Sequence, residues 1–138
     1  MSQDRFFRKE LVQELRRVEA LIKKESSMEK KVYYLSAAYG ITSRTFRYRF
    51  TKDVLMADFV LQTSYRILSE RISRIRSGDT TIDIDDDIFN KICENLKMLA
   101  DRLEKEEGIQ EPLENILTIA FVTTGPGNYL HEKGDIKL

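Results

Sequence analysis

One short string of residues combines cationic and aromatic side chains in a pattern that suits contact with a polyanion. Arg44, Arg47 and Arg49 alternate with Phe46, Tyr48 and Phe50. Aromatic rings can stack on nucleic-acid bases while arginines contact phosphates. On a helix, however, Phe46 and Phe50 share the core-facing side and the arginines spread over the rest of the surface.

Two more arginines, Arg71 and Arg74, belong to the same predicted helix. They lie about 30 Å or more from the first group, at roughly 1.5 Å per residue. The possible polyanion contacts are therefore Arg44, Arg47, Arg49, Arg71 and Arg74. Because the two groups are so far apart, binding of nucleic acid or another polyanion is an alternative function and not the favoured one.

No set of residues predicts a catalytic or metal centre. The only cysteine, Cys93, falls among apolar positions and is predicted to be buried, and the only histidine, His131, lies near the chain end. Di-iron bundles require Glu-x-x-His, and Asn128 stands where the glutamate would be. The carboxylates of 83–87 suit a helix start, where negative charge meets the macrodipole, better than a calcium loop. We predict no catalytic residue, metal ion or cofactor, and we lean against an enzyme.

The segment Thr123–Asn128 has the composition of a ligand-binding loop, since consecutive backbone N–H groups around Gly-Pro-Gly can form an anion nest. It follows a helix C-terminus, however, where the dipole disfavours anions. The favoured interpretation is a chain reversal that lays Tyr129 and Leu130 on a neighbouring element. The predicted organisation is a helical bundle domain over residues 1–124 and a C-terminal tail or arm over 125–138.

The element that carries most of these side chains is a predicted helix from Thr42 to Ser77. Apolar residues recur there at steps of three or four, which keeps them on one side of a helix; they are Phe46, Phe50, Val54, Ala57, Leu61, Tyr65, Leu68, Ile72 and Ile75. A second row widens that face: Leu55, Met56, Phe59, Val60 and Ile67. Such a helix, about 50 Å long, needs equally long partners to cover it.

The remaining elements fit the same architecture. Residues 4–39 form one helix or two, since a capping box at Ser26–Glu29 competes with a continuous apolar stripe. Gly40-Ile41 and Gly108-Ile109 are predicted helix stops, and Pro112 suits the first turn of a last helix. The fold class is therefore all-α: an antiparallel bundle of four to five helices with one long central helix, assembling into a larger bundle.

Charge and composition indicate how the helices pair and where the protein is located. The 138 residues carry no net charge, yet residues 44–78 hold eight Lys or Arg against three Asp or Glu, and residues 79–114 hold four against twelve. Basic and acidic helices that neutralise one another explain this division better than a surface reserved for nucleic acid. The apolar runs are too short to span a bilayer, and a reducing cytoplasm is the expected location.

Three functions from different classes remain. The favoured one is a soluble, self-associating structural or interaction module without catalysis, most simply a homodimer, because the doubled apolar face of the central helix exceeds what one bundle covers. The first alternative is the polyanion binder described above. The second is a small-molecule enzyme or carrier with a pocket between helices, lined by Tyr33, Tyr34, Tyr48, Tyr65 and Arg66.

Overall fold

The computed structural model describes residues 2–48, 51–78 and 84–138, with side chains from residue 8 onward and, in the second helix, as far as Thr45. Within these ranges every regular element is a helix. In chain order they are α1 (Ser2–Lys24), α2 (Met28–Tyr48), α3 (Lys52–Arg76), α4 (Asp86–Glu104), α5 (Gln110–Phe121) and α6 (Gly125–Lys133). The prediction of an all-α fold is confirmed, and the described part of the chain has six helices where four to five were expected.

The first helical region consists of two helices, separated at residues 25–27. The carboxylate of Glu25 accepts hydrogen bonds from the backbone N–H groups of Ser26 and Ser27. The Ser27 hydroxyl oxygen in turn accepts from the Lys30 N–H at 3.3 Å and so caps α2. The capping signal therefore prevails over the continuous apolar stripe.

The predicted boundary at Gly40-Ile41 is wrong. Helix α2 continues through Gly40 to Tyr48, and the hydroxyls of Thr42 and Thr45 donate to carbonyls of the preceding turn instead of capping a new helix. Gly40 does not have positive φ, so it does not end the helix in the left-handed conformation that such a stop requires.

The chain breaks instead at Thr51, whose backbone is extended (φ −126°, ψ 155°) and whose hydroxyl accepts from the Val54 N–H. The long central helix predicted from Thr42 to Ser77 is thus divided between α2 and the 25-residue α3. Phe50 and the side chain of Phe46, both assigned to its apolar stripe, lie outside the described residues. Gly78 takes positive φ, 105°, just beyond the end of α3.

Five helices close a ring in which α1 packs on α2, α2 on α3, α3 on α5, α5 on α4, and α4 on α1. Each contributes a fully buried side chain to one core: Leu15, Leu35, Leu61, Leu96 and Ile116 are all 0% exposed. Helices α3 and α4 follow one another in sequence but are not a closely packed pair. Helix α5 lies beside α3 and runs parallel to it, since Ile67 late in α3 and Thr124 just after α5 border the same small cavity.

The acidic helix α4 forms ion pairs with the first two helices, α1 and α2. Arg16 of α1 forms ion pairs with Asp101 at 2.8 Å and Glu104 at 2.9 Å. Lys31 of α2, although 5% exposed, lies 3.4 Å from Asp86. These pairs join α4 to α1 and α2, so basic and acidic helices do neutralise one another in part; the neutralisation of residues 44–78 by residues 79–114 stays a prediction.

The last segments also differ from expectation. Helix α4 ends at Glu104, and Glu106, not Gly108, takes the left-handed conformation (φ 58°). Pro112 lies in the first turn of α5 as predicted. Beyond Val122 the chain forms α6, so most of the segment expected as a tail or arm is helical.

Candidate functional site

Helix α3 has two apolar faces, and only one of them is covered. Val54, Ala57, Leu61, Leu68 and Ile72 point into the core. On the opposite side Leu55 is 43% exposed and Phe59 is 64% exposed, with Met56 and Val60 half-buried beside them. Leu55 and Phe59 are one helical turn apart and lie side by side on the surface. Of the second apolar row of the sequence, Leu55 and Phe59 are exposed, whereas Met56, Val60 and Ile67 are partly buried against the core. We call the surface formed by Leu55 and Phe59, with the half-buried Met56 and Val60 beside them, the α3 strip.

The charges nearest the α3 strip are few. Lys52 is exposed at one end, and half-buried Gln62 lies one turn beyond Phe59. Asp58 is turned towards α2, where its carboxylate accepts a hydrogen bond from the Ser43 hydroxyl and lies 3.1 Å from the Thr42 hydroxyl oxygen. Because that carboxylate is engaged between two helices, the described charges along this face of α3 are cations, Lys52 at one end and the exposed Arg66 two turns beyond Phe59.

A groove of about 460 Å³ lies between the start of α2 and the end of α3. Its floor is apolar, formed by Val32 and Ile72, which are 4% and 7% exposed. Tyr33 stands on the α2 side and Tyr65 on the α3 side. The remaining lining groups are the hydroxyls of Ser69, Ser73 and Ser77 and the ion pair described next.

At the end of the groove, Glu29 Oε1 lies 3.5 Å from Arg76 Nε. The pKa of the Glu29 carboxyl is lowered, first by a hydrogen bond from its own backbone N–H and then by the Ser27 hydroxyl. Both bonds favour the ionised form. The groove therefore ends in a hydrogen-bonded carboxylate beside an exposed guanidinium.

The arginines predicted to contact a polyanion are not gathered into one surface. Arg44 is exposed on α2, near the level of Asp58, while Arg71 and Arg74 lie about 20 Å further along α3. Arg74 is paired with Glu70 at 2.9 Å. The side chain of Arg47 and the whole of Arg49 lie outside the described residues.

The end of α3 does form one basic cavity. Arg71 and Arg74, together with Glu70, face Thr124, Gly125 and Pro126 at the start of α6 across about 220 Å³. The Thr124 hydroxyl accepts from the Gly127 N–H and so caps α6. The segment Thr123–Asn128, predicted as a chain reversal in preference to a ligand loop, is therefore the junction between α5 and α6. Tyr129, which was expected to pack on a neighbouring element, is 61% exposed.

Nucleophilic and metal chemistry find no support in the described part of the chain. Burial raises the pKa of the Cys93 thiol to about 11, and its Sγ lies 3.7 Å from the Glu19 carbonyl oxygen. His131 is exposed beside the Ile136 carbonyl, far from Cys93 in sequence. No group of three or more His, Cys, Asp or Glu side chains is arranged to hold a metal ion among the residues that the structure describes.

Known proteins add no assignment. No family model, curated protein or solved structure matches the chain. None of the helices, as far as they are described, is both long enough and apolar enough to cross a membrane. The candidate surfaces are thus the α3 strip and the groove between α2 and α3.

Sequence reasoning found some of the residues of these surfaces and not their arrangement. It placed Tyr33 and Tyr65 in a pocket between helices, and both line the groove. Tyr34 packs against Tyr33 but does not line the groove, and Arg66 is exposed elsewhere on α3. The side chain of Tyr48 lies outside the described residues. The contribution of Glu29 and Arg76 was missed, because it depends on the antiparallel packing of α2 on α3.

Proposed function

We propose that this protein is a non-catalytic helical interaction module that pairs with a second copy of itself through the α3 strip. The observation that supports the proposal most directly is the 64% exposure of Phe59 next to the 43% exposure of Leu55. Single exposed apolar residues are ordinary in monomers, but adjacent large ones on one helix face suit a partner surface.

A twofold axis suits the pattern of this strip. In an antiparallel pair of α3 helices with the axis at the level of Ala57, Leu55 of each copy lies opposite Phe59 of the other. Lys52 then lies opposite Gln62 of the second copy, so its charge meets no like charge. An isologous contact of this kind uses the same patch twice and closes after two copies.

The size of the α3 strip determines how tightly two copies are expected to associate. The segment from Lys52 to Gln62 is about 15 Å long at roughly 1.5 Å per residue. Stable interfaces bury about 800 Å² per partner. The α3 strip is therefore the centre of such an interface, and we expect an association in the micromolar range unless neighbouring residues extend it.

Sedimentation equilibrium over about 5–200 µM protein tests the proposal. The unaltered chain should show a concentration-dependent shift from monomer to dimer. Phe59→Ser should raise the dimer Kd at least about tenfold, because a central aromatic anchor contributes about 2 kcal/mol or more. Tyr129→Ser is the matched control, since Tyr129 is 61% exposed on α6, away from the strip.

Two results would contradict the proposal. One is a monomer at every concentration, and the other is equal dimerisation of the Phe59→Ser and Tyr129→Ser variants.

We also propose that the protein works in the cytoplasm, in keeping with a Cys93 that is buried in the core and not part of a disulfide.

Polyanion binding is the less favoured function for this fold. It would use Arg44, Arg47 and Arg49, together with Arg71 and Arg74 beside the α6 start, where Glu70 shares the cavity with them. A polyanion binder should lose affinity steeply as salt increases. Absence of binding to a single-stranded oligonucleotide at about 50 mM salt would exclude it.

A further inference from the structure

The groove between α2 and α3 has the dimensions and the walls of a ligand site. Its volume of about 460 Å³ falls within the roughly 300–1,000 Å³ typical of pockets for small molecules. Val32 and Ile72 give it an apolar floor, and the rings of Tyr33 and Tyr65 stand on opposite sides. The site lies more than one helical turn beyond Phe59 along α3, so it is separate from the α3 strip.

The fixed electrostatics of the groove favour a cation. The Glu29 carboxylate is held ionised by hydrogen bonds at the start of α2. Helix α3 ends at Arg76, so the negative end of its dipole is directed to this end of the groove. The positive end of α2 lies there too, but the N–H groups of Glu29 and Lys30 are already engaged by the Glu29 carboxylate and the Ser27 hydroxyl. Tyrosine ring faces add attraction for a cation that comes within about 6 Å of the ring centre.

Arg76 is the cation that the groove already contains. Its Nε lies 3.5 Å from Glu29 Oε1, whereas the Arg16 guanidinium approaches its carboxylates to 2.8 and 2.9 Å. The Arg76 side chain is also 70% exposed. A long, solvated contact of this kind contributes little and is readily exchanged.

We propose that the groove binds a small primary amine with an aromatic or aliphatic body. The ammonium group takes the place of the Arg76 guanidinium at Glu29, and the body lies on Val32 and Ile72 between the two tyrosine rings. The serine hydroxyls at the rim accept or donate hydrogen bonds to polar substituents. No bond is made or broken in this binding.

An anionic ligand is the opposite possibility, because Arg76 is near the same site. An anion would have to approach both the Glu29 carboxylate and the C-terminal end of α3, which repel it. Arg76 alone, 70% exposed, offers a solvated charge in return. The balance of fixed charge therefore favours the amine.

Titration calorimetry with 2-phenylethylamine, and with 3-phenylpropionate as the anion that carries the same ring, tests the proposal. The amine should bind and the carboxylate should bind at least about tenfold more weakly. Glu29→Gln should weaken amine binding about tenfold, as expected for loss of one charge-assisted hydrogen bond. Arg76→Gln should strengthen it, because the internal competitor is gone.

Glu70→Gln is the matched control, since Glu70 also pairs with an arginine one turn away on α3 but lies outside the groove. It should leave the amine Kd unchanged. Thermal melting of each variant shows whether the fold persists. Tighter binding of 3-phenylpropionate, or equal amine binding by the Glu29→Gln and Glu70→Gln variants, or no amine binding up to about 10 mM, would overturn the proposal. Phe59→Ser should leave amine binding unchanged, which separates this test from that of self-association.

Discussion

Gly127 is the residue at which the junction between α5 and α6 is least tolerant of change. A Cβ atom built there would lie 1.9 Å from the Phe121 carbonyl oxygen and 2.5 Å from its carbon. Both are backbone atoms, so the clash cannot be relieved by rotating a side chain. The close approach lets the Gly127 N–H reach the Thr124 hydroxyl at 3.1 Å. Its role is therefore steric, because the turn needs a residue without a side chain.

Gly127→Ala should consequently open the first turn of α6 while leaving the five-helix ring folded. The Asn128 N–H, which donates to the Thr124 carbonyl at 2.8 Å, reports that turn. We expect its hydrogen exchange to accelerate about tenfold or more, since local opening exposes such amides. Gly125→Ala is the control, because a Cβ there meets open space. Unchanged protection of Asn128 in the Gly127→Ala protein would argue against this account of the turn.

Among single residues, those whose side chains cap a nearby backbone N–H group were the easiest to predict from the sequence. Asp85 accepts from the Ile88 N–H at the start of α4, in the acidic cluster that was predicted to begin a helix. Asp83 of that cluster lies outside the described residues. The requirement at Gly127 was not predictable, because it depends on the path that the chain takes after Phe121. The Glu29–Arg76 contact was likewise out of reach, since 47 positions separate its partners in the sequence.

The helices themselves were largely predictable and their boundaries were not. Apolar periodicity identified the core positions of α3, because the residues that one helix face buries recur at fixed spacing. The break at Thr51 was missed, because apolar residues keep their helical spacing across it and predicted one continuous helix. The opposite error occurred at Gly40, where a common C-terminal signal was overridden by the packing of Ile41, which is 8% exposed.

Helix α2 therefore contains a glycine in its interior that has no structural need to be one. A Cβ at Gly40 would meet nothing within 4 Å, and its φ is not positive. Gly40→Ala should raise the free energy of unfolding by about 0.5–1 kcal/mol, because alanine loses less conformational entropy in a helix. Urea denaturation measures the change. If a left-handed helix stop were present at this residue instead, the same substitution would lower stability.

At the scale of the whole molecule, one core is shared by five helices, and a further apolar strip remains outside it. Spacing alone separates the two apolar rows of α3, but it does not say how much of the second row the neighbouring helices cover. Only the ring closure, with α5 between α3 and α4, determines which row faces inward. Leu61 is 0% exposed and Leu55 is 43% exposed on the same helix, so the two leucines separate stability from association.

Replacing each leucine by alanine should thus give two different losses. Leu61→Ala should lower the free energy of unfolding by about 2–5 kcal/mol at every protein concentration, because it leaves a cavity in the core. Leu55→Ala should lower it by less than about 1 kcal/mol in dilute protein, where the strip is solvated. At high concentration a dimer stabilises the folded state by mass action, so the unaltered protein should melt at a higher temperature as its concentration increases. In the Leu55→Ala protein, the melting temperature should depend less on protein concentration. In the Leu61→Ala protein, the melting temperature should be lower but should still increase with concentration. Melting temperatures that are independent of concentration in all three proteins would leave the exposed strip without the partner that we assign to it.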